Sequence, residues 1–554
     1  MASSLSYITI LVTIFFYRFA QSDARTSLNV LSFGAKPNGV VDSTNAFSDA
    51  WESACRVEDS VMIYVPKGRY LIGRELRFEG ESCKSREITL RIDGTLIGPQ
   101  DYRLLGQKQN WFSFVRVHSV TLLGGSFDAK GSTLWSCKAN GQNCPEGATT
   151  LRFMDSYNVK IKGALSLNSQ LFHIAINRCN NFEARTSLNV LTFGAKPNGV
   201  VDSTKAFSDA WDSACRVEDS AMIYVPKGRY LIGRELRFEG ESCKSREITL
   251  RIDGTLIGPQ DYRLLGKEQN WFNFVGVHNV TVLGGSFDAK GSTLWSCKAN
   301  GQNCPEGATT LRFMDSYNVK IKGVLSLNSQ LFHIAINRCN NVKIEDIRII
   351  APDDSPNTDG IHIQKSTDIE VRNASIKTGD DCISIGPGTK NLMVDGITCG
   401  PGHGISIGSL AKDLEEEGVV NVTVKKAVFV RTDNGLRIKS WPRHSKGFVE
   451  RVRFLGARMV NVSYPILIDQ NYCPGDSYCP TEESEIKIND VIYSGIMGTS
   501  ATKVAIKMDC SERLPCTQIR MHAINLTYNG GEAKTSCINA SGKQLGLVIP
   551  NGCL

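Results

Sequence analysis

After residue 342 the chain repeats one short pattern, an aliphatic residue, one intervening residue and a second aliphatic. It occurs as Gly360-Ile361-His362-Ile363, Cys382-Ile383-Ser384-Ile385, Gly404-Ile405-Ser406-Ile407, Gly435-Leu436-Arg437-Ile438 and Pro465-Ile466-Leu467-Ile468. The first aliphatic positions are 22, 22, 31 and 30 residues apart. Further short alternating runs lie between or just before them, at 342–344, 369–371, 391–394 and 420–424. Alternation of this kind predicts strands, and several strands within such a period predict a β-solenoid, because no single coil can bury its own aliphatic residues. With coils stacked about 4.8 Å apart, Ile361, Ile383, Ile405, Leu436 and Ile466 form an inward ladder. His362, Ser384, Ser406 and Arg437 then face outward on one wall. The predicted fold class is all-β, a parallel β-helix.

The first 341 residues hold one long block written twice. Residues 24–181 recur at 184–341 with an offset of 160 and 11 substitutions, among them Asn45 for Lys205 and Arg116 for Gly276. A solenoid array has short divergent units, so this reads as a tandem duplication or a fusion of neighbouring genes. Each copy opens with a helical pattern: Ala206, Phe207, Ala210, Trp211 and Ala214 recur at helical spacing after Asp202-Ser203-Thr204, which supplies an N-cap. The seam, Asn181-Phe182-Glu183-Ala184, contains no Pro, Gly or Ser linker. The expected organisation is a leader over 1–24, a half-solenoid over 25–181 without catalytic residues, and a complete domain over 184–554. The last coil of the half-solenoid should expose an unpaired edge.

Composition changes this picture little. The 50 glycines agree with a turn-rich β architecture, and the net charge of +7 suits solubility or attraction to a polyanion. No Lys/Arg cluster points to nucleic acid. Residues 7–16 form a short apolar run ahead of Ser22-Asp23-Ala24, which reads as a signal peptide too short to span a bilayer. Export agrees with 18 cysteines, of which Cys382 and Cys399, Cys473 and Cys479, Cys510 and Cys516, and Cys537 and Cys553 are candidate local pairs. Each copy carries an odd five, leaving Cys179 and Cys339 as candidates for free thiols. Glycosylation acceptors occur at Asn279, Asn373, Asn421, Asn461, Asn525 and Asn539.

Ionisable residues stand just before the first three ladder strands: Asp359, the pair Asp380-Asp381, and His403. Stacking should crowd them into one patch, with Arg437, Lys439 and Tyr472 nearby. Crowded carboxylates repel, so at least one should hold its proton near neutral pH. An acid beside bases is what glycoside hydrolysis requires. Arg437 and Lys439 alternate on one strand and could hold the carboxylates of an acidic sugar. The ordered set Asn357-Thr358-Asp359, Gly379-Asp380-Asp381, Gly402-His403-Gly404 and Arg437-Ile438-Lys439, with Tyr472 in Gln470-Asn471-Tyr472-Cys473, resembles the signature of polygalacturonases, glycoside hydrolase family 28. The resemblance covers 184–554 as one unit.

That resemblance implies a right-handed parallel β-helix with a capping helix, secreted and acting as a monomer on pectic polysaccharide. It implies hydrolysis of α-1,4 links between galacturonic acid units with inversion. Asp381 would be the general acid, Asp359 and Asp380 would activate water, and His403 would tune the acid. Asn357, Arg437, Lys439 and Tyr472 would bind substrate, and no metal or other cofactor is implied. His333, in the duplicated stretch, is a candidate for a distal wall position. Two alternatives stand beside this: a calcium-dependent pectate lyase on the same solenoid, and a non-catalytic wall-binding protein spoiled by the duplication.

Overall fold

The computed structural model describes residues 26–474, 479–551 and 554, except for the side chains of 182–186. The expected leader and Cys553 lie outside the described residues. The chain forms two compact units, one ending at Ser187 and the other starting at Leu188. Each has a hydrophobic core of its own, running from Val30 to Ala164 in the first and from Val190 to Val548 in the second.

In the second unit, one 11-stranded parallel sheet carries the ladder. Its strands include Ile334–Asn337, Ile361–Gln364, Ile383–Ile385, Ile405–Leu410, Asn434–Ser440 and Tyr464–Asp469. Ile361 lies opposite Ile383, Ile383 opposite Ile405, Ile405 opposite Leu436 and Leu436 opposite Ile466. All five side chains are fully buried. In the same register His362, Ser384, Ser406 and Arg437 follow one another along the opposite face. The period-2 pattern thus sets which face meets the core, and the repeat length sets which residues become vertical neighbours.

Other strands, among them Thr367–Lys377, Lys390–Cys399, Val419–Val430 and Phe448–Val462, pair in parallel to build a second wall. Corner residues of this wall take left-handed backbone: Asn279, Asn318, Asn341, Asn391 and Asn421 have φ between 52° and 58°. Asparagine tolerates that conformation better than most residues. The stacked amides also bond one another, Asn341 Nδ2 donating to Asn318 Oδ1 at 2.8 Å and Asn318 Nδ2 to Asn279 Oδ1 at 2.9 Å. Asn391 accepts from Asn421 at 2.8 Å.

The predicted helix spans Thr204–Cys215 and buries Ala206, Phe207, Ala210, Trp211 and Ala214. Its first free N–H, that of Thr204, donates to Asp202 Oδ1 at 2.9 Å. Trp211 Nε1 donates to the Glu239 carbonyl, and Cys215 is bridged to Cys243, tying the helix to the solenoid it covers. The first unit repeats the arrangement with helix Thr44–Arg56 and the Cys55–Cys83 bridge. Its short sheet has four strands, Leu76–Glu79, Asn110–Val115, Thr149–Met154 and, at the edge, Ile174–Asn177. Ile176 is 46% exposed there, whereas its duplicate Ile336, covered by Ile361–Gln364, is fully buried.

Three of the suggested disulfides are present, Cys382–Cys399, Cys473–Cys479 and Cys510–Cys516. Cys137–Cys144 and Cys297–Cys304 close short loops in the two copies, and Cys179 and Cys339 are free. Among the described residues, no helix is long and apolar enough to cross a membrane.

Candidate active site

Glycine lets the acidic turns sit this close together. A Cβ on Gly379 would lie 2.2 Å from the Ser355 carbonyl, and one on Gly404, where φ is +87°, would lie 2.1 Å from the Asn434 carbonyl. The turns are then pinned by main-chain bonds. Gly360 N–H donates to the Asp381 carbonyl and His403 N–H to the Asp380 carbonyl, each at 2.8 Å. The N–H of Asp381 donates to Asp380 Oδ1, also at 2.8 Å.

The outcome is a cleft of about 340 Å³ whose lining includes Asn357, Asp359, Asp380, Asp381, Lys439 and Tyr472. Six of the eight residues singled out from the sequence therefore converge. His403 and Arg437 stand behind them rather than in the lining. His403 Nδ1 lies 2.9 Å from Asp380 Oδ1, and its other ring nitrogen lies 3.4 Å from Asp433. The bond to Asp380 raises the proton affinity of His403 above its ordinary value, against the opposing effect of burial.

The three carboxyl groups are in different environments. Burial pushes Asp359 up to about 6, its bond to His362 opposing and the charges of Asp380 and Asp381 adding to the rise. One carboxyl with a raised value was expected from mutual repulsion; the larger cause is desolvation. Asp381 goes the other way. Burial would raise it, but Lys439 Nζ at 2.8 Å from Oδ2 and Arg437 Nη2 at 2.6 Å from Oδ1 outweigh that and hold it well below the usual carboxylate range. Ser406 Oγ donates to Asp381 Oδ1 at 2.7 Å and accepts from Arg437 Nε at 2.8 Å. Arg437 and Lys439 were expected to await the carboxylate of a substrate. They instead hold Asp381, and both are less than 10% exposed.

Tyr472 faces this cation pair, its ring centre 5.0 Å from Lys439 Nζ and 5.9 Å from Arg437 Cζ, and meets Trp441 edge-on. His333 is not a wall residue. It is fully buried, with Nδ1 2.7 Å from Ser326 Oγ, and burial lowers it to about 3, so it stays neutral. Three contributors escaped the sequence reading of the site: His362, 3.1 Å from Asp359; Phe332, stacked on His362 at 4.5 Å; and Ser406. The ladder phase had already put His362 and Ser406 on the outward wall, which was the signal available.

Ligating atoms of Asp380, Asp381 and His403 lie within 4.8 Å of one another, close enough to invite a cation. The donor set does not suit calcium, which takes six to eight oxygens. Both Asp381 oxygens already face cationic side chains, and His403 is turned to Asp380. A cluster of this make-up suits proton transfer beside a bound anion.

The sequence pattern of the family described as Glycosyl hydrolases family 28 matches residues 55–198 and 215–546. The chain belongs to this family. It is 52% identical over 367 residues to a polygalacturonase of Prunus persica, covering 66% of this chain and 93% of that protein. To an exopolygalacturonase of Arabidopsis thaliana, clone GBGA483, it is 42% identical over 374 residues, covering 66% and 83%. Among solved structures, an endo-xylogalacturonan hydrolase from Aspergillus tubingensis shares 20% identity at a TM-score of 0.56, covering 65% of this chain and all of that one. An exopolygalacturonase from Thermotoga maritima does so at 20% and 0.52, covering 61% and 86%. At such identity these likenesses speak for the fold, a parallel β-helix. As a member of family 28, the chain is a glycosidase.

Proposed function

We propose that this chain is an exported polygalacturonase, cutting α-1,4 links between galacturonic acid units of pectin with inversion, and that 184–554 is its working domain. The observation that carries this reading is the convergence of three carboxylates on one cleft, one of them held by two buried cations. In the proposed reaction the anomeric C–O bond breaks as a water oxygen bonds to the same carbon. Asp381 gives its proton to the departing oxygen, and Asp359 with Asp380 takes the proton of the water. Inverting enzymes usually set acid and base roughly 6.5–9.5 Å apart; carboxylate oxygens of Asp380 and Asp381 lie within 4.8 Å of one another, so the inverting course is tested by the anomer first released.

Asp381 must first acquire a proton, which Arg437 and Lys439 oppose. The carboxylate of an incoming galacturonate competes for Lys439, which lines the cleft, and weakens that opposition. The acid is armed when an acidic sugar is bound, so methyl esterification at the reacting unit lowers kcat more than it raises KM.

A second reading, favoured by the raised proton affinity of Asp359, makes Asp359 the acid. A galacturonide with a leaving group that needs no protonation separates the two. Asp381→Asn recovers turnover on it if Asp381 is the acid, and Asp359→Asn recovers instead if the second reading holds. The primary test is release of reducing ends from polygalacturonic acid by residues 185–554 with and without Asp381→Asn. General acid catalysis contributes roughly 10²–10⁴-fold, so the variant should fall by at least that. Turnover near the parent's defeats the proposal. A calcium requirement with an unsaturated, ultraviolet-absorbing product would instead establish a lyase.

A further inference from the structure

The catalytic aspartates and His403 all lie in the part of the chain present once, so residues 26–187 hold no counterpart of them. A groove nevertheless remains on that unit. It is a cavity of about 650 Å³ with Lys108, Gln109, Arg152, Phe172 and Asn177 in its lining. The duplicates Gln269, Arg312, Phe332 and Asn337 line a cavity of the second unit that shares Phe332, His362 and Gln364 with the catalytic cleft. A polymer lying in that cleft would continue over them.

The first copy keeps these four side chains and differs in ways that open its groove and make it more basic. Lys108 stands where the second copy has Glu268, while the adjacent Gln107 replaces Lys267, a net gain of one positive charge in the first copy. Arg152 Nη1 donates to Gln109 and Asn110 at 3.3 and 3.4 Å, while its Nε is buried without a protein partner. Phe332 is stacked on His362, but the first unit has no such coil, and Phe172 is 60% exposed. Glu146 is the one carboxylate in the lining, against two cations.

We propose that the first unit is a non-catalytic binding groove for an acidic polysaccharide of the galacturonate type, which it holds without cutting. Lys108 and Arg152 pair with sugar carboxylates. Gln109 and Asn177 supply amides to the hydroxyls, and the bare ring of Phe172 takes the apolar face of a sugar ring. This inference rests on the polygalacturonase reading for the nature of its ligand.

The test is calorimetric titration of the full chain carrying Asp381→Asn with a galacturonic acid oligomer. Two sites per chain are expected, falling to one when Lys108→Glu and Arg152→Gln are added. Lys108→Glu alone, on an exposed side chain, should weaken one site several-fold without disturbing the fold. One site in the parent, two undiminished sites in the double variant, or unchanged affinity in Lys108→Glu would each overturn the inference. Hydrolysis by the unsubstituted chain is scored separately: its absence strikes the hydrolase reading alone, because the titration counts sites without turnover.

Discussion

Asp381 and Asp359 are both buried carboxyls in one cleft, yet their neighbours drive them in opposite directions. For Asp359, burial without a full cationic partner makes the ionised form costly. Its folded proton affinity exceeds the unfolded one, so the stability linked to its proton is present below the ordinary carboxylate value and lost as pH rises through about 6. Asp359→Asn should therefore raise Tm at pH 7.5 and leave it unchanged at pH 3.5, which thermal melts at the two pH values will check. For Asp381 the sign reverses: its depressed value stabilises the fold above the ordinary carboxylate value, and that contribution is lost as pH falls. Lys439→Met leaves a buried charge with one cation fewer, and breaking such a pair costs about 3–5 kcal/mol. Denaturant unfolding should show a loss of that order together with loss of activity. Coil stacking placed Arg437 and Lys439 near the acidic patch although they are 56 and 58 residues from Asp381, but which carboxyl they hold and which is left without a full cationic partner was not legible in the sequence.

At the scale of elements, the ladder strands do two jobs with alternate residues, aliphatic side chains for the core and polar ones for the cleft. Ile383 is fully buried between Ile361 and Ile405. Ile383→Ala should cost about 2–5 kcal/mol and loosen the Asp380-Asp381 turn immediately before it, so chemical denaturation and turnover should fall together. Gly404→Ala is the sharper probe. Its Cβ meets the Asn434 carbonyl of the next coil, which displaces His403 from Asp380. The strands, the ladder phase and the helix were all readable from periodicity, because solenoid packing is set by near neighbours along a repeating chain; that the helix caps the solenoid came from the family resemblance. His333 was misplaced against that phase. It stands just before Ile334, whereas His362 lies between two ladder isoleucines in register with Ala335, so the ladder phase marks His362 and not His333 as a wall residue.

At the scale of the molecule, the two units have separate cores, and the acidic cleft lies on the second. Residues 185–554 expressed alone should retain full turnover on polygalacturonic acid and a cooperative melt; failure to fold without the first unit would refute its autonomy. The sequence by itself determined the solenoid, the repeated block, three of the cysteine pairs and the side chains that meet on one wall, because each depends on spacing along the chain. Tertiary structure alone decided which carboxyl is held ionised by cations, which is raised by burial, and which duplicated side chains lie bare. Those outcomes depend on burial and on charges brought across coils, and distance in sequence carries no measure of either.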